Sequence, residues 1–241
     1  LDDVREYNFE AGRADTITRE KLEIIKKYGA TRISVNPQTL NNDVLKAIGR
    51  NHTGEDTVNA YKTAREVGFD NINMDLIAGL PTESAESFKN TLDRIISLDP
   101  ESITVHTLTI KRSASLYSDG ERYIENPAAE MVDYSVNQLL KHGYNPYYLY
   151  RQKNTVENLE NVGYAKKGRE SYYNIYIMDE TQTILGAGCA ASTKLVYPNG
   201  KIVRIHNYKF PYEYINRFEQ LMEKKKEITE CLKKIKDIPQ L

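Results

Sequence analysis

The sequence has no tryptophan, only two cysteines and no signal-peptide pattern at its start. Cys189 and Cys231 stand far apart, which excludes a disulfide framework and any zinc or cluster motif built from closely spaced thiols. Sparse cysteine reads as a reducing, cytoplasmic setting. No apolar run approaches the ~20 residues that cross a bilayer, so no membrane span is expected. Neither charge sign is in excess: 33 Lys and Arg balance 34 Asp and Glu, a net charge of −1. A general nucleic-acid binder needs surplus cations to neutralise phosphates, and that class is set aside. No glycine-rich phosphate loop occurs, which disfavours a phosphate- or sugar-binding barrel. The opening Leu1-Asp2-Asp3-Val4-Arg5 lacks an initiator Met, as expected of a processed or partial chain.

What remains is an ordinary globular composition. Hydrophobic residues make up 40% of the 241 positions and charged residues 28%, with 18 tyrosines. The length suits one large domain, or a domain with a smaller appendage.

The first half alternates strand and helix signals. The pattern predicts strands over 6–10, 32–36, 71–77 and 102–109. Helices are expected over 18–28, from the capping box at Thr53 and Asp56 to Gly68, and over 84–98. This is the rhythm of βαβ units in a parallel sheet, and doubly wound sheets and (β/α) barrels both satisfy it. The second half reads as a helix over 128–142, a Tyr-rich loop over 144–150 and strands over 172–178, 183–187 and 202–205. Helices are expected over 212–227 and 230–236. The division is expected between 1–122 and 123–241, near Gly120–Pro127, giving α/β followed by an α+β appendage.

Ligands of parallel α/β architectures sit at the carboxyl ends of strands. The polar residues there are Glu10, Gln38, Asp75 and His106, with Arg50 on the connection after the second strand. Carboxylates suit vicinal hydroxyls, and a guanidinium suits a carboxylate. The competing reading is that Glu10 and Asp75 cap loops and Arg50 pairs on the surface. The four histidines show no metal-ligand spacing and read as hydrogen-bonded structural residues, with His106 the best exception. Cys189, among small residues, reads as buried and structural. No metal ligand is assigned.

Two stretches carry a resemblance: Arg32-Ile-Ser-Val-Asn-Pro-Gln-Thr39 with Asn42–His52, and Gly68-Phe-Asp-Asn-Ile-Asn-Met-Asp-Leu-Ile-Ala-Gly-Leu-Pro81. Together with Tyr147–Lys153 and Asn158–Tyr164, they resemble the oxygen-independent coproporphyrinogen III oxidases (dehydrogenases) of the radical S-adenosylmethionine (SAM) superfamily. The resemblance covers most of residues 7–210. It implies the C-terminal βα units of a partial (β/α) radical SAM barrel. It also implies SAM and a [4Fe–4S] cluster as cofactors and an electron donor as partner. The implied reaction is oxidative decarboxylation of two propionates to vinyl groups, giving protoporphyrinogen IX in haem biosynthesis.

By that resemblance Glu10, Gln38, Arg50, Asp75 and Ile77 contact SAM. Arg50 would meet the methionyl carboxylate, and Gln38 and Asp75 the ribose. Pro37 departs from the Val of many relatives and puts the Gln38 backbone in question. Lys111, Arg112, Arg151 and Lys153, beside Tyr147, Tyr148 and Tyr150, are candidates for the anionic flat substrate; the plain alternative is a solvated basic loop over packed tyrosines. The family's Cys-x3-Cys-x2-Cys loop is not in this sequence. The expectation is therefore an inactive C-terminal portion whose partner is the missing N-terminal part. Relatives that act as haem chaperones leave haem binding open as the alternative.

Overall fold

The computed structural model describes residues 3–109, 127–153 and 155–236. The chain forms two compact units, Leu1–Tyr172 and Tyr173–Leu241.

The first unit is built on a six-stranded sheet in the order β1-β2-β3-β4-β6-β5. Strands β1 (Asn8–Gly12), β2 (Arg32–Val35), β3 (Ile72–Ala78) and β4 (Ser102–Thr107) are mutually parallel. Helices α1 (Arg19–Lys27), α2 (Asn42–Ala47), α3 (Gly54–Glu66) and α4 (Ala85–Leu98) make the crossovers. After α5 (Ala128–Lys141), strands β5 (Asn145–Tyr150) and β6 (Asn161–Ala165) form a hairpin. Strand β6 runs antiparallel to β4. This is the parallel-strand sheet of a partial (β/α) barrel.

Local chemistry sets the helix starts. Thr53 and Asp56 form the expected capping box, and the Ser84 side chain accepts from the Ser87 amide at the head of α4. Asp99, in the left-handed conformation at φ 60°, ends α4.

The two faces of the sheet differ. One face carries Ile33, Val35, Ile72, Met74, Leu76, Ile103 and Val105. These pack against Leu22 of α1, Tyr61 and Ala64 of α3, Phe88, Leu92 and Ile95 of α4, and Met131 and Leu139 of α5. Each of the large side chains buried there stabilises the fold by roughly 1.5–3 kcal/mol. The other face is polar at every second residue: Asn8 and Glu10, Arg32 and Ser34, Asn73 and Asp75, Ser102, Thr104 and His106. Successive side chains of a strand point to opposite faces, so the alternation gives the sheet a second, polar surface opposite the helices.

Several expectations change. The Tyr-rich segment is strand β5, not a loop, because its backbone pairs with β6 from Asn145 to Tyr150. β5 and β6 thereby join the first unit, so the compact units divide at Tyr172/Tyr173 rather than at 122/123. Residues 110–126, which include that expected boundary, lie outside the described residues. Residues 172–178 are the start of helix α6 (Tyr172–Asp179), not a strand.

In the second unit, residues 183–187 contribute a single bridge, Ile184 to Lys194, instead of a strand. The hairpin there is β7 (Ser192–Val196) with β8 (Ile202–His206), turning at Pro198-Asn199-Gly200. Helices α7 (Pro211–Asn216) and α8 (Phe218–Lys236) follow. Leu195, Ile205 and Cys231 form this unit's small core. No helix among the described residues is long and apolar enough to cross a membrane.

Candidate SAM site on the polar face of the sheet

Glu10 lies in the middle of β1, in register with Ser34 of β2. The Ser34 hydroxyl donates to the Glu10 carboxylate at 3.2 Å. Burial of that carboxyl raises its pKa, and the negative charge of Asp75 raises it further. Hydrogen bonds from Ser34 and Asn36 and the charge of Arg32 oppose the shift. Glu10 and Asp75 are thus close enough to feel each other across three strands. The Oδ1 atom of Asn36 is buried there and has no hydrogen-bond partner among the described residues.

Asp75 is held from both sides. Asn73 Nδ2 donates to its Oδ1 at 2.6 Å, and His106 Nε2 lies 3.8 Å from its Oδ2. Behind it stands Arg32, only 3% exposed. The Arg32 guanidinium donates to Asn71 Oδ1 at 3.0 Å, to the Arg169 carbonyl at 2.9 Å and to Ser102 Oγ at 2.5 Å. Ser102 in turn donates to Asn73 Oδ1 at 2.9 Å. A buried cation thereby fixes the amide that orients Asp75. Strand alternation is the sequence signal for Arg32, Ser34 and Asn73, none of which stands at the carboxyl end of its strand.

Gln38 sits beside Asp75 despite Pro37. Its amide donates to the Asp75 carbonyl at 3.0 Å, and its carbonyl accepts from the Ile77 amide at 3.0 Å. Gln38 adopts φ 65°, a left-handed conformation that costs a non-glycine residue ~1–3 kcal/mol. Its neighbour Thr39 is anchored by donation to Glu83 at 2.5 Å. Glu83 is itself buried, and desolvation raises its pKa. Ile77 is half-buried on the same face, in register with His106.

Arg50 belongs to a neighbouring cluster. Its charged neighbours are Arg13 and Asp15, and among the described residues it makes no ion pair. Desolvation and the nearby Arg13 cation press its pKa down, and Asp15 opposes. Asp15 is already bound to Arg13 at 2.7 Å, leaving Arg50 as surplus positive charge. No contact joins Arg50 to Glu10, Gln38 or Asp75 among the described residues. His52, expected to be hydrogen-bonded, is buried with neither ring nitrogen partnered, and its Nδ1 lies 3.6 Å from Asp15. Desolvation lowers its pKa, keeping it neutral.

The basic candidates fare differently. Arg151 is exposed and paired with Glu160, and Lys153 is exposed. Lys111 and Arg112 lie outside the described residues.

Glu10 and Asp75 offer carboxylates suited to hydroxyls on the sheet face, and Arg50, in its separate cluster, offers a guanidinium suited to a carboxylate. The cysteines do not fit a [4Fe–4S] cluster. Cys231 is fully buried against Leu195 and Ile205. Cys189 is exposed, against expectation, and its Sγ donates to the carbonyls of Tyr208 and Lys209 at 3.4 and 3.2 Å. No group of three or more His, Cys, Asp or Glu able to hold a metal occurs among the described residues.

Residues 11–95 match the sequence profile of the Radical SAM superfamily. The oxygen-independent coproporphyrinogen-III oxidase-like protein HemZ of Bacillus subtilis (strain 168) is 48% identical over 226 residues, 92% of this chain and 45% of that protein. The haem chaperone HemW of the same organism is 31% identical over 192 residues, 77% of this chain and 47% of that protein. The structure of coproporphyrinogen III oxidase (HemN) from Escherichia coli superposes with a TM-score of 0.66. It covers 90% of this chain and 49% of that one at 21% identity, a likeness of fold. The chain spans about half the length of the curated relatives it matches. These similarities place the chain in the radical SAM superfamily, among the oxygen-independent coproporphyrinogen-III oxidase-like proteins.

Proposed function

We propose that this chain supplies the SAM-binding wall of a radical SAM oxidoreductase that decarboxylates coproporphyrinogen III, converting two propionates to vinyl groups. The observation that carries the reading is the approach of the Glu10 carboxyl on β1 to Asp75 within β3, with the Gln38 backbone bonded to that of Asp75 just after β2. Its support in sequence is the 48% identity to a coproporphyrinogen-III oxidase-like protein.

In this reading Asp75, oriented by Asn73, accepts hydrogen bonds from the ribose hydroxyls. The Gln38 amide side chain serves the same edge. Ile77 offers an apolar contact to the adenosyl group. Arg50, lacking an acidic partner among the described residues, takes the methionyl carboxylate. Glu10, whose pKa is raised, closes the polar row at β1. Bound SAM supplies the one-electron chemistry of the superfamily, and the chain's residues bind, orient and shield it. The cluster and the electron donor belong to the whole protein's activity, and no step is assigned to them on this chain.

Equilibrium SAM titration tests the reading. Arg50→Ala and Asp75→Asn should each weaken binding at least about tenfold, or ~1.4 kcal/mol. Lys62→Ala, on the exposed side of α3, should bind like the parent. Equal affinity in all three variants would remove the assignment.

A second reading is a haem-binding chaperone, supported by the 31% identity to a haem chaperone. Haem titration set against porphyrinogen turnover in the full-length protein separates the two.

A further inference from the structure

His106 has no part in SAM binding as assigned above, although it stands beside Asp75 on the polar face. Ile77 of β3 is in register with His106 of β4, so Asp75 and His106 are diagonal neighbours on one side of the sheet. Both side chains reach the surface of that face, Asp75 with 18% and His106 with 28% of its side chain exposed.

The other neighbour of the imidazole decides which nitrogen carries the hydrogen. The Tyr150 hydroxyl lies 3.3 Å from His106 Nδ1. Burial raises the pKa of this phenol, and the negative charge of Asp75 raises it further. The phenol therefore keeps its proton and donates it to Nδ1. A neutral imidazole that accepts at Nδ1 carries its hydrogen on Nε2. Nε2 is the atom that faces Asp75 Oδ2, at 3.8 Å, and it makes no hydrogen bond among the described residues.

Oδ1 of the same carboxylate is taken by Asn73 Nδ2 at 2.6 Å, which leaves Oδ2 as the acceptor for a ligand. A donor and an acceptor thus face each other 3.8 Å apart, too far for a hydrogen bond between them. An oxygen placed ~2.8 Å from both sees them at about 85°. A hydroxyl serves that pair by accepting from Nε2–H and donating to Oδ2. A carbonyl oxygen cannot donate and an ammonium cannot accept, so neither satisfies both atoms.

We propose that His106 is a specificity-determining residue of this site, its Nε2–H and Asp75 Oδ2 holding one ribose hydroxyl of SAM between them while Tyr150 fixes the tautomer. The proposal rests on the SAM reading given above and adds to it a side-chain donor, since the carboxylates of Glu10 and Asp75 only accept when ionised. A site built this way selects against a sugar that lacks the hydroxyl, because both partners are then left unpaired.

Equilibrium titrations of the 241-residue chain with S-adenosylhomocysteine and with its 2′-deoxy and 3′-deoxy analogues test the pair. His106→Leu should weaken binding of S-adenosylhomocysteine at least about fivefold, the scale of one lost hydrogen bond. For one of the two deoxy analogues the same substitution should cost less than about twofold, because the hydroxyl that His106 serves is already gone. His106→Gln restores an N–H donor near the Nε2 position and should stay within about threefold of the parent. Long-range proton–nitrogen NMR spectra without ligand read the ring directly: hydrogen on Nε2 in the parent, and that preference lost in Tyr150→Phe. A His106→Leu penalty that is absent, or equal for all the ligands, overturns the proposal and leaves the SAM reading in place. So does a parent ring that is not protonated at Nε2 alone. A parent that binds none of the ligands removes the SAM assignment, and the proposal falls with it.

Discussion

Gly163 and Tyr148 occupy one space: a Cβ on the glycine would stand 1.8 Å from Cε1 and 2.5 Å from Cδ1 of the tyrosine ring. The pair lies directly across the β5–β6 ladder. The ring fills what any other residue at 163 would need. Gly163→Ala therefore forces Tyr148 out of position, and overpacking of this kind costs ~1–3 kcal/mol. Adding Tyr148→Ala to that variant opens the space again. Chemical denaturation of the two single variants and the double variant should show a non-additive cycle in which the double recovers part of the loss. Strict additivity would mean that the ring and the glycine do not compete.

Glu10 carries a stability cost tied to its place in the site. Its folded-state pKa is raised, first by desolvation and then by Asp75. A carboxyl raised in the folded state favours folding while protonated. That contribution is present below the ordinary carboxylate range and is lost as pH rises through the folded value. Glu10→Gln removes the ionisation. The variant should melt higher than the parent near about pH 7 and lose that advantage near about pH 4. A parent that is the more stable of the two at neutral pH would contradict this account.

Arg32 is a buried cation whose donations go to amide, hydroxyl and carbonyl oxygens rather than to a carboxylate. Arg32→Met keeps the stem's volume and strips the donors from Asn71, Ser102 and the Arg169 carbonyl. Hydrogen bonds to charged groups are worth ~1.5–3 kcal/mol each, and leaving their acceptors buried adds to the loss. Destabilisation of at least about 3 kcal/mol is expected in urea unfolding. Because Ser102 and Asn73 relay Arg32 to Asp75, SAM affinity should also fall under conditions where the variant remains folded. Unchanged affinity in folded Arg32→Met would confine the residue to a structural role.

The sequence made the first unit legible because its signals were local and periodic. Thr53 with Asp56, and Ser84 before Phe88 and Leu92, announced helices that the structure builds with those caps. Asp75 and Gln38 stand out in the sequence as polar residues of the strand regions, and in the fold their backbones share a hydrogen bond. Arg32 and Asn73 carry no strand-end signal, because they stand at alternate positions along their strands. Residues 172–178 read as a strand because Tyr, Ile and Met favour pleated surfaces. The chain places them in a helix, since such preferences are weak against tertiary context. Strand β7 was passed over because Ser192–Val196 carries little apolar pattern of its own, and its pairing with β8 defines it.

The last prediction concerns iron. A cluster loop presents several thiolates to one point, and roughly four thiolate positions hold a [4Fe–4S] unit. This chain has two cysteines. Cys231 is sealed in the core of the second unit beside Leu195 and Ile205. Cys189 is exposed, but its Sγ is engaged with the Tyr208 and Lys209 carbonyls. No group of three or more His, Cys, Asp or Glu able to hold a metal occurs among the described residues. Anaerobic reconstitution of the 241-residue chain with iron and sulfide should therefore leave far less than the roughly four irons per chain of a full cluster. Cys189→Ala should retain the same small residue of iron as the parent, because that residue is not thiolate-bound. Stoichiometric iron with broad visible absorption, lost on Cys189→Ala, would show that this chain builds a cluster from ligands other than a three-cysteine loop.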